Sequence, residues 1–206
     1  MKRDLLSNDM IKNLTEKIGE RMWSRPSLSQ ITFAASLAYH NHCGLLGSIH
    51  LADVDLSSVP PEHLGSLAST VSTRLGIYNV SGSGLASILG NVRSKVLLIW
   101  RQSLDTEETK TLVKSMEADG GRLTLVMYGG DVIVAIKRLT QYSGEGRCSD
   151  VRFYGDRYRK ELRKWAKKKN WRVVVDGDRD FIMRRQAPTG NGSDSDSSNE
   201  YGCFGY

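Results

Sequence analysis

The chain has 206 residues, of which 39% are hydrophobic and 25% charged, with a formal net charge of +6. These values exclude a chain that is disordered throughout, and no apolar stretch reaches the roughly 18 residues of a membrane-spanning helix. The amino-terminal residues lack the apolar stretch typical of a secretory signal, so none is expected, and three widely separated cysteines indicate neither a disulfide framework nor a clustered zinc site. We therefore expect a reducing compartment, cytoplasmic or nuclear, and no contact with a membrane.

The first 44 residues are predicted to form a helical cap of two helices. Apolar residues recur every four positions from Met10 to Met22, which places them on one helical face. Ser27 is a suitable N-cap for a second helix, which should end between Asn41 and Gly44.

From residue 46 onward, short apolar segments alternate with helical segments. The apolar segments predict strands at Ile49–Leu51, Leu75–Ile77, Val96–Leu98, Leu123–Leu125 and Val151–Phe153. Their first residues lie 26, 21, 27 and 28 positions apart. The helices expected after them span 61–71, 84–92, 105–116 and 156–169. This alternation predicts an α/β fold.

Two of these units align without a gap, the segment from Val54 to His63 matching the segment from Ile99 to Glu108. A strand–loop–helix unit repeated every 20 to 29 residues is typical of a solenoid. The spacing Leu46-x-x-Ile49-x-Leu51 resembles the leucine-rich-repeat family, especially its ribonuclease-inhibitor-like members. The resemblance covers about residues 45–175 and implies a short, irregular solenoid with helices on its convex side.

Three segments, DVDLSSVPPEHLGSLAS, LTQYSGEG and RYRKELRKWAKKKNW, also resemble multi-copy uncharacterised animal repeat proteins. That resemblance implies no activity.

The carboxyl-terminal part departs from this rhythm. An extra strand is predicted over 131–136, a strand over Trp171–Val175 and a returning edge strand at Phe181–Met183. Residues 187–206 are acidic, serine-rich and expected to be disordered. The predicted domains are thus a helical cap (1–44), a repeat-like α/β domain (45–186) and a disordered tail (187–206).

The outward strand positions would form one face of the sheet, and aromatic residues with an arginine suit protein recognition. The candidate protein-binding residues are His50, Tyr78, Leu97, Thr124, Val126, Arg152 and Tyr154. We therefore predict a non-enzymatic protein-interaction module with an unidentified protein partner. The alternative is that the face is flat, or that the N-terminal helices or the extra strand cover it.

A basic helix over 157–169 suggests a second function. Residues 154–172 contain nine Lys or Arg and two acidic residues, a local charge of +7. Nucleic-acid binding through phosphate contacts is the alternative prediction, and a solvated helix surface is the simpler interpretation. The candidate nucleic-acid-binding residues are Arg157, Lys160, Arg163, Lys164, Lys167 and Lys168.

The sequence contains only weak signals for a catalytic or metal-binding site. His40, His42 and Cys43 offer three ligand types, but no second cluster completes a structural zinc site. No glycine-rich segment continues into the Gly-Lys-Ser/Thr of a phosphate loop. We therefore predict no enzyme activity, metal or cofactor, and nothing indicates a small-molecule ligand.

Overall fold

The computed structural model describes residues 23–42, 44–128, 146–154, 159–177 and 180–186. In these ranges the chain is an α/β protein with one mixed sheet of eight strands and five helices. The helices are α1 (Leu28–Tyr39), α2 (Pro61–Thr70), α3 (Leu85–Gly90), α4 (Thr106–Glu117) and α5 (Arg159–Lys168). The strands are β1 (Trp23–Ser24), β2 (Leu46–Ala52), β3 (Val71–Tyr78), β4 (Val96–Trp100), β5 (Leu123–Tyr128), β6 (Cys148–Tyr154), β7 (Trp171–Asp176) and β8 (Asp180–Arg185).

The first six strands lie side by side in chain order and pair in parallel. Helices α1 to α4 pack against one another in the same order. Crossovers between parallel strands are right-handed, so successive crossovers in one direction place their helices on the same face of the sheet. The parallel part is therefore a two-layer structure of strands and helices.

Local capping explains where two of these helices begin. Ser27 and Gln30 form a capping box at the start of α1, and Asp105 and Glu108 form another at α4. Each pair satisfies backbone N–H groups that the first helical turn leaves without partners. Pro61 occupies the first turn of α2, where its missing N–H has no cost.

The hydrophobic core lies between the sheet and the helix layer. Leu75, Leu97, Leu125 and Val151 form one register row across β3 to β6, and each is at most 1% exposed. Leu112 of α4 belongs to the same core at 1% exposure. Full burial of such a side chain contributes about 1.5–3 kcal/mol, so each residue of this row stabilises the fold.

The structure confirms the predicted strand and helix segments between residues 46 and 128. The gap-free alignment of the two units is correct for the helices, since Pro61 and Thr106 both begin one. It is wrong for the strands, where Ile99 lies in register with Leu51 through β3 rather than with Val54. The connection from β4 to α4 is three residues shorter than that from β2 to α2.

Two further strand assignments are corrected. Leu97 faces the core, and Leu98 takes the outward position. The four residues Val96–Ile99 are all apolar, so the sequence does not show which of them point to the core. The returning strand β8 is not the edge of the sheet. It lies between β6 and β7, and the earlier strand β7 is at the edge.

The expected solenoid architecture is not what the described residues form. After β7 the chain reverses direction, and the N–H of Gly177 donates to the carbonyl of Asp180 at 3.0 Å. Strands β6, β8 and β7 consequently pair antiparallel, and the sheet is mixed. The predicted helix from Met10 to Met22, the extra strand over 131–136 and the tail from residue 187 lie outside the described residues.

Candidate interaction face

The face of the sheet opposite the helices carries the candidate binding residues. Side chains alternate along a strand, so residues beside the core positions point to this second face. One register row across β2 to β6 contains His50, Gly76, Leu98, Val126 and Arg152. We call this surface the open face, because the described helices pack on the other side of the sheet.

One pleat closer to the strand ends, four aromatic side chains form the next register row. They are Tyr78, Trp100, Tyr128 and Tyr154, on β3 to β6, and we call them the aromatic row. Adjacent ring centroids are 5.2, 5.7 and 4.5 Å apart. Trp100 is 43% exposed, and the three tyrosines are half-buried. Aromatic residues on adjacent strands support one another, so the row is held in place before any ligand binds.

The rings of the aromatic row differ in their orientation to one another. Tyr128 and Tyr154 stack with an angle of 10° between their planes. Trp100 is tilted by 59° to Tyr78 and by 42° to Tyr128. Tyr128 and Tyr154 therefore each use one flat surface on the other. The row also includes polar groups, the three tyrosine hydroxyls and the indole N–H.

The chain turns away from the sheet directly beyond this row. Asp53, Asn79 and Arg101, which follow β2, β3 and β4, all have φ between +45° and +51°. Asn79 donates from Nδ2 to Asp53 Oδ1 at 2.9 Å, which links two of these turns. Asp and Asn tolerate the left-handed region better than other non-glycine residues, whereas Arg101 is strained there.

His50 lies against Gly76 on the neighbouring strand. A Cβ atom at position 76 would come within 2.6 Å of His50 Cδ2, so glycine is required for this ring placement. The pKa of His50 is lowered, first by burial and then by the positive charge of Arg74. His50 Nε2 is buried and has no hydrogen-bond partner among the described residues. A neutral His50 adds no charge to the open face at neutral pH.

A buried carboxylate anchors the opposite end of the open face. Asp150 is 2% exposed and accepts hydrogen bonds from Arg184 Nε at 2.8 Å and from Arg122 Nη2. Burial raises the pKa of Asp150, but the two arginines lower it by more, so the net shift is downward.

Arginines outnumber acids on the open face. The arginines in its register rows, together with Arg122 beside them, are Arg74, Arg122, Arg152, Arg172 and Arg184. The acids are Asp150 and Asp180. Five arginines against two aspartates give a net formal charge of +3, and Arg122 and Arg184 are ion-paired with Asp150.

Six of the seven sequence-predicted binding residues share the open face. They are His50, Tyr78, Thr124, Val126, Arg152 and Tyr154, although Val126 is only 6% exposed. Leu97 is wrong as a member of this set, because it is fully buried in the core. The sequence interpretation missed Trp100 and Tyr128. Both could have been found, because each aromatic residue of the row lies three positions after a residue of the buried row Leu75, Leu97, Leu125 and Val151.

The basic helix presents most of its cations to solvent. Lys160, Lys164, Lys167 and Lys168 are exposed. Arg163 is also exposed but donates from Nε to Asp176 Oδ2 at 2.8 Å. The candidate Arg157 lies outside the described residues. Leu162 and Trp165 of the same helix are buried in the core.

Two further groups of side chains bear on catalysis and metal binding. Burial raises the pKa of the Cys148 thiol to about 12, so it is not a nucleophile at neutral pH. Rings of Tyr39, His40, His42 and His63 cluster at the ends of α1 and α2. No group of three His, Cys, Asp or Glu residues in the described ranges could hold a metal ion, and Cys43 lies outside them.

Comparisons with known proteins do not assign a family. No protein-family model matches the chain, and no curated protein matches it. Among solved structures, an uncharacterised protein from Listeria monocytogenes serotype 4b has a TM-score of 0.30 and 10% identity, over 92% of this chain and 72% of that one. This likeness supports no statement about function.

The resemblance to leucine-rich-repeat and animal repeat proteins is therefore wrong. No repeat family is found, and the strands form a mixed sheet with an antiparallel end.

Within the described residues, no helix is both long enough and apolar enough to cross a membrane.

Proposed function

We propose that this protein is a non-enzymatic protein-interaction module that binds its partner through the open face. The observation that carries the proposal is the aromatic row, which crosses four neighbouring strands and includes the exposed Trp100. Tryptophan, tyrosine and arginine are the residues that most often dominate the free energy of protein association.

The backbone of the face supports this function. Parallel strands fix the positions of the aromatic residues, and ring-to-ring contacts restrict their rotamers. A surface that is ordered before binding loses less conformational entropy when the partner arrives.

A capture experiment tests this function. The bait is the full chain as wild type, as a double variant Trp100→Ala/Tyr128→Ala, and as a control Tyr39→Ala. Tyr39 is 45% exposed and contacts His63, outside the open face. We expect discrete proteins that wild type and Tyr39→Ala retain and that the double variant loses. Identical sets of proteins on all three baits would overturn the proposal.

Nucleic-acid binding through α5 is a second candidate function. The exposed Lys160, Lys164, Lys167 and Lys168 favour it. If these lysines contact phosphates, affinity for a labelled RNA falls steeply as salt rises, and replacing all four by Glu abolishes binding. Binding that is insensitive to salt, or unchanged in the four-lysine variant, would contradict this candidate.

A further inference from the structure

We propose that helix α5 is the docking surface for an acidic, serine-rich segment of this same chain, residues 193–200. The segment lies outside the described residues, and its sequence is Ser-Asp-Ser-Asp-Ser-Ser-Asn-Glu. Three acids and no Lys or Arg give it a formal charge of −3. The inference concerns a surface other than the open face, so it does not rest on the proposed protein-interaction function.

Four exposed lysines form one face of α5, which we call the lysine face. Their spacing of i, i+4, i+7 and i+8 is that of a single helical face, and they are Lys160, Lys164, Lys167 and Lys168. The opposite side of the helix carries the buried Leu162 and Trp165, so the lysine face points to solvent. At 1.5 Å per residue, these four positive charges lie within about 12 Å of helix.

The lysine face has no counter-charge among the described residues. The ion pair that α5 makes there joins Arg163 to Asp176, and no salt bridge between described residues includes any of the four lysines. Like charges three and four positions apart on a helix repel each other, as Lys164 does with Lys160 and Lys168. An acidic segment along this face replaces that repulsion with attraction.

The described chain leaves the sheet beside the carboxyl-terminal end of α5. Strand β8 ends at Arg185, which is the Cα partner of Trp171 in β7. Trp171 follows Lys168, the last residue of α5, by three positions. The chain that continues after β8 therefore starts next to the lysine-rich end of the helix.

The connection is long enough for the acidic segment to reach every lysine of the face. Asp194 lies eight positions after Gln186, and at about 3.3 Å per residue this is a reach of up to about 26 Å. The lysine face extends only about 12 Å back from Lys168. A short connection of this kind gives an effective concentration on the order of 1 mM, which favours this segment over a separate acidic molecule.

The spacing of the acids also fits the lysine face. In an extended segment Asp194 and Asp196 point to the same side and lie about 7 Å apart. Lys164 and Lys168 are separated by about 6 Å along α5. Two neighbouring acids can thus pair with two lysines one helical turn apart.

Spin-label NMR on the full chain tests this docking. A nitroxide is attached to Cys203, three positions after Glu200, in a Cys43→Ser background. Cys148 does not react, because its thiol is buried and its pKa is raised to about 12. We expect the label to broaden the backbone amide signals of α5 at about 0.05 M salt and much less at about 0.5 M salt, because salt screens exposed charges.

Two charge-neutral variants identify the contact. The first is Asp194→Asn/Asp196→Asn/Glu200→Gln, and the second is Lys164→Gln/Lys167→Gln/Lys168→Gln. Each removes three exposed ion pairs and should lower the docking equilibrium constant about tenfold, with a matching loss of broadening. The matched control removes three exposed lysines outside α5, through Lys95→Gln/Lys110→Gln/Lys114→Gln, and should leave the broadening unchanged.

A charge exchange gives the sharpest result. Broadening should be lost when the three lysines of the second variant are changed to Glu, and it should return when the three acids of the first variant are also changed to Lys. Broadening that ignores salt and both neutral variants would overturn the inference, because the short connection alone would then explain the proximity. An exchange that fails to restore broadening would contradict it as well. Neither result depends on capture through the open face, so this inference and the proposed function fail separately.

Discussion

The two faces of the sheet are made from the same strands but from different chemistry. Toward the helices, the strands contribute aliphatic residues such as Leu75, Leu97 and Leu125, which are fully buried. On the open face, the adjacent positions hold the aromatic row, arginines and a histidine. Alternation along a strand thus separates the residues of the hydrophobic core from those of the proposed interaction face.

This contrast predicts whether a substitution should change stability or partner binding. A change on the helix-covered face should alter the free energy of unfolding. A change in the aromatic row should alter partner binding, with a smaller effect on stability.

The largest effect is expected from a charge in the core. Leu112→Asp places a carboxylate among apolar residues at a position 1% exposed, so unfolding free energy should fall by about 4 kcal/mol or more. Urea denaturation measures this loss. A loss below about 1 kcal/mol would show that α4 does not bury this face.

The second prediction concerns a buried arginine at the start of β6. Arg147 donates from Nε to the Ser115 carbonyl at 2.8 Å and from Nη2 to the Val92 carbonyl at 2.6 Å. Arg147→Met removes both donors, and stability should fall by about 2 kcal/mol because buried carbonyls lose their partners.

Arg93→Met is the matched control for this variant. Arg93 is exposed, and its removal should change stability by less than about 0.5 kcal/mol. Equal unfolding midpoints for the two variants would contradict a structural role for Arg147.

The third prediction is a pH dependence. Asp150 has a lowered pKa in the folded protein, so its ionised form contributes stability at pH values above its unfolded pKa of about 3.9. That contribution disappears as pH falls through the lower, folded pKa. The stability difference between wild type and Asp150→Asn should therefore be largest near neutrality and shrink below about pH 4.

Urea midpoints measured across this pH range check the prediction. Asp119→Asn is the control, since Asp119 is exposed beyond α4. A difference between wild type and Asp150→Asn that grows on acidification would have the wrong sign for a carboxylate stabilised by Arg122 and Arg184.

Much of the parallel part of the fold is predictable from the sequence. Apolar segments with clear alternation, such as Leu75–Ile77, define both a strand and its buried face. The capping boxes at Ser27 and Asp105 define helix starts in the same local way. These signals depend on neighbouring residues alone.

The candidate site was only partly predictable, for a physical reason. Val96–Ile99 is apolar throughout, so its phase depends on pairing with β3 and β5, and Leu97 was assigned to the wrong face. Trp100 and Tyr128 join Tyr78 and Tyr154 only through the register of four strands. The antiparallel position of β8 likewise depends on long-range pairing that local pattern does not encode.

The most direct test of the account pairs unfolding with capture for Trp100→Ala. Its unfolding free energy should fall by about 1 kcal/mol, well below the loss for Leu112→Asp, because the side chain is 43% exposed. The same variant should lose the proteins that wild type captures. Unchanged capture, or a stability loss equal to that of Leu112→Asp, would contradict the division of roles between the two faces.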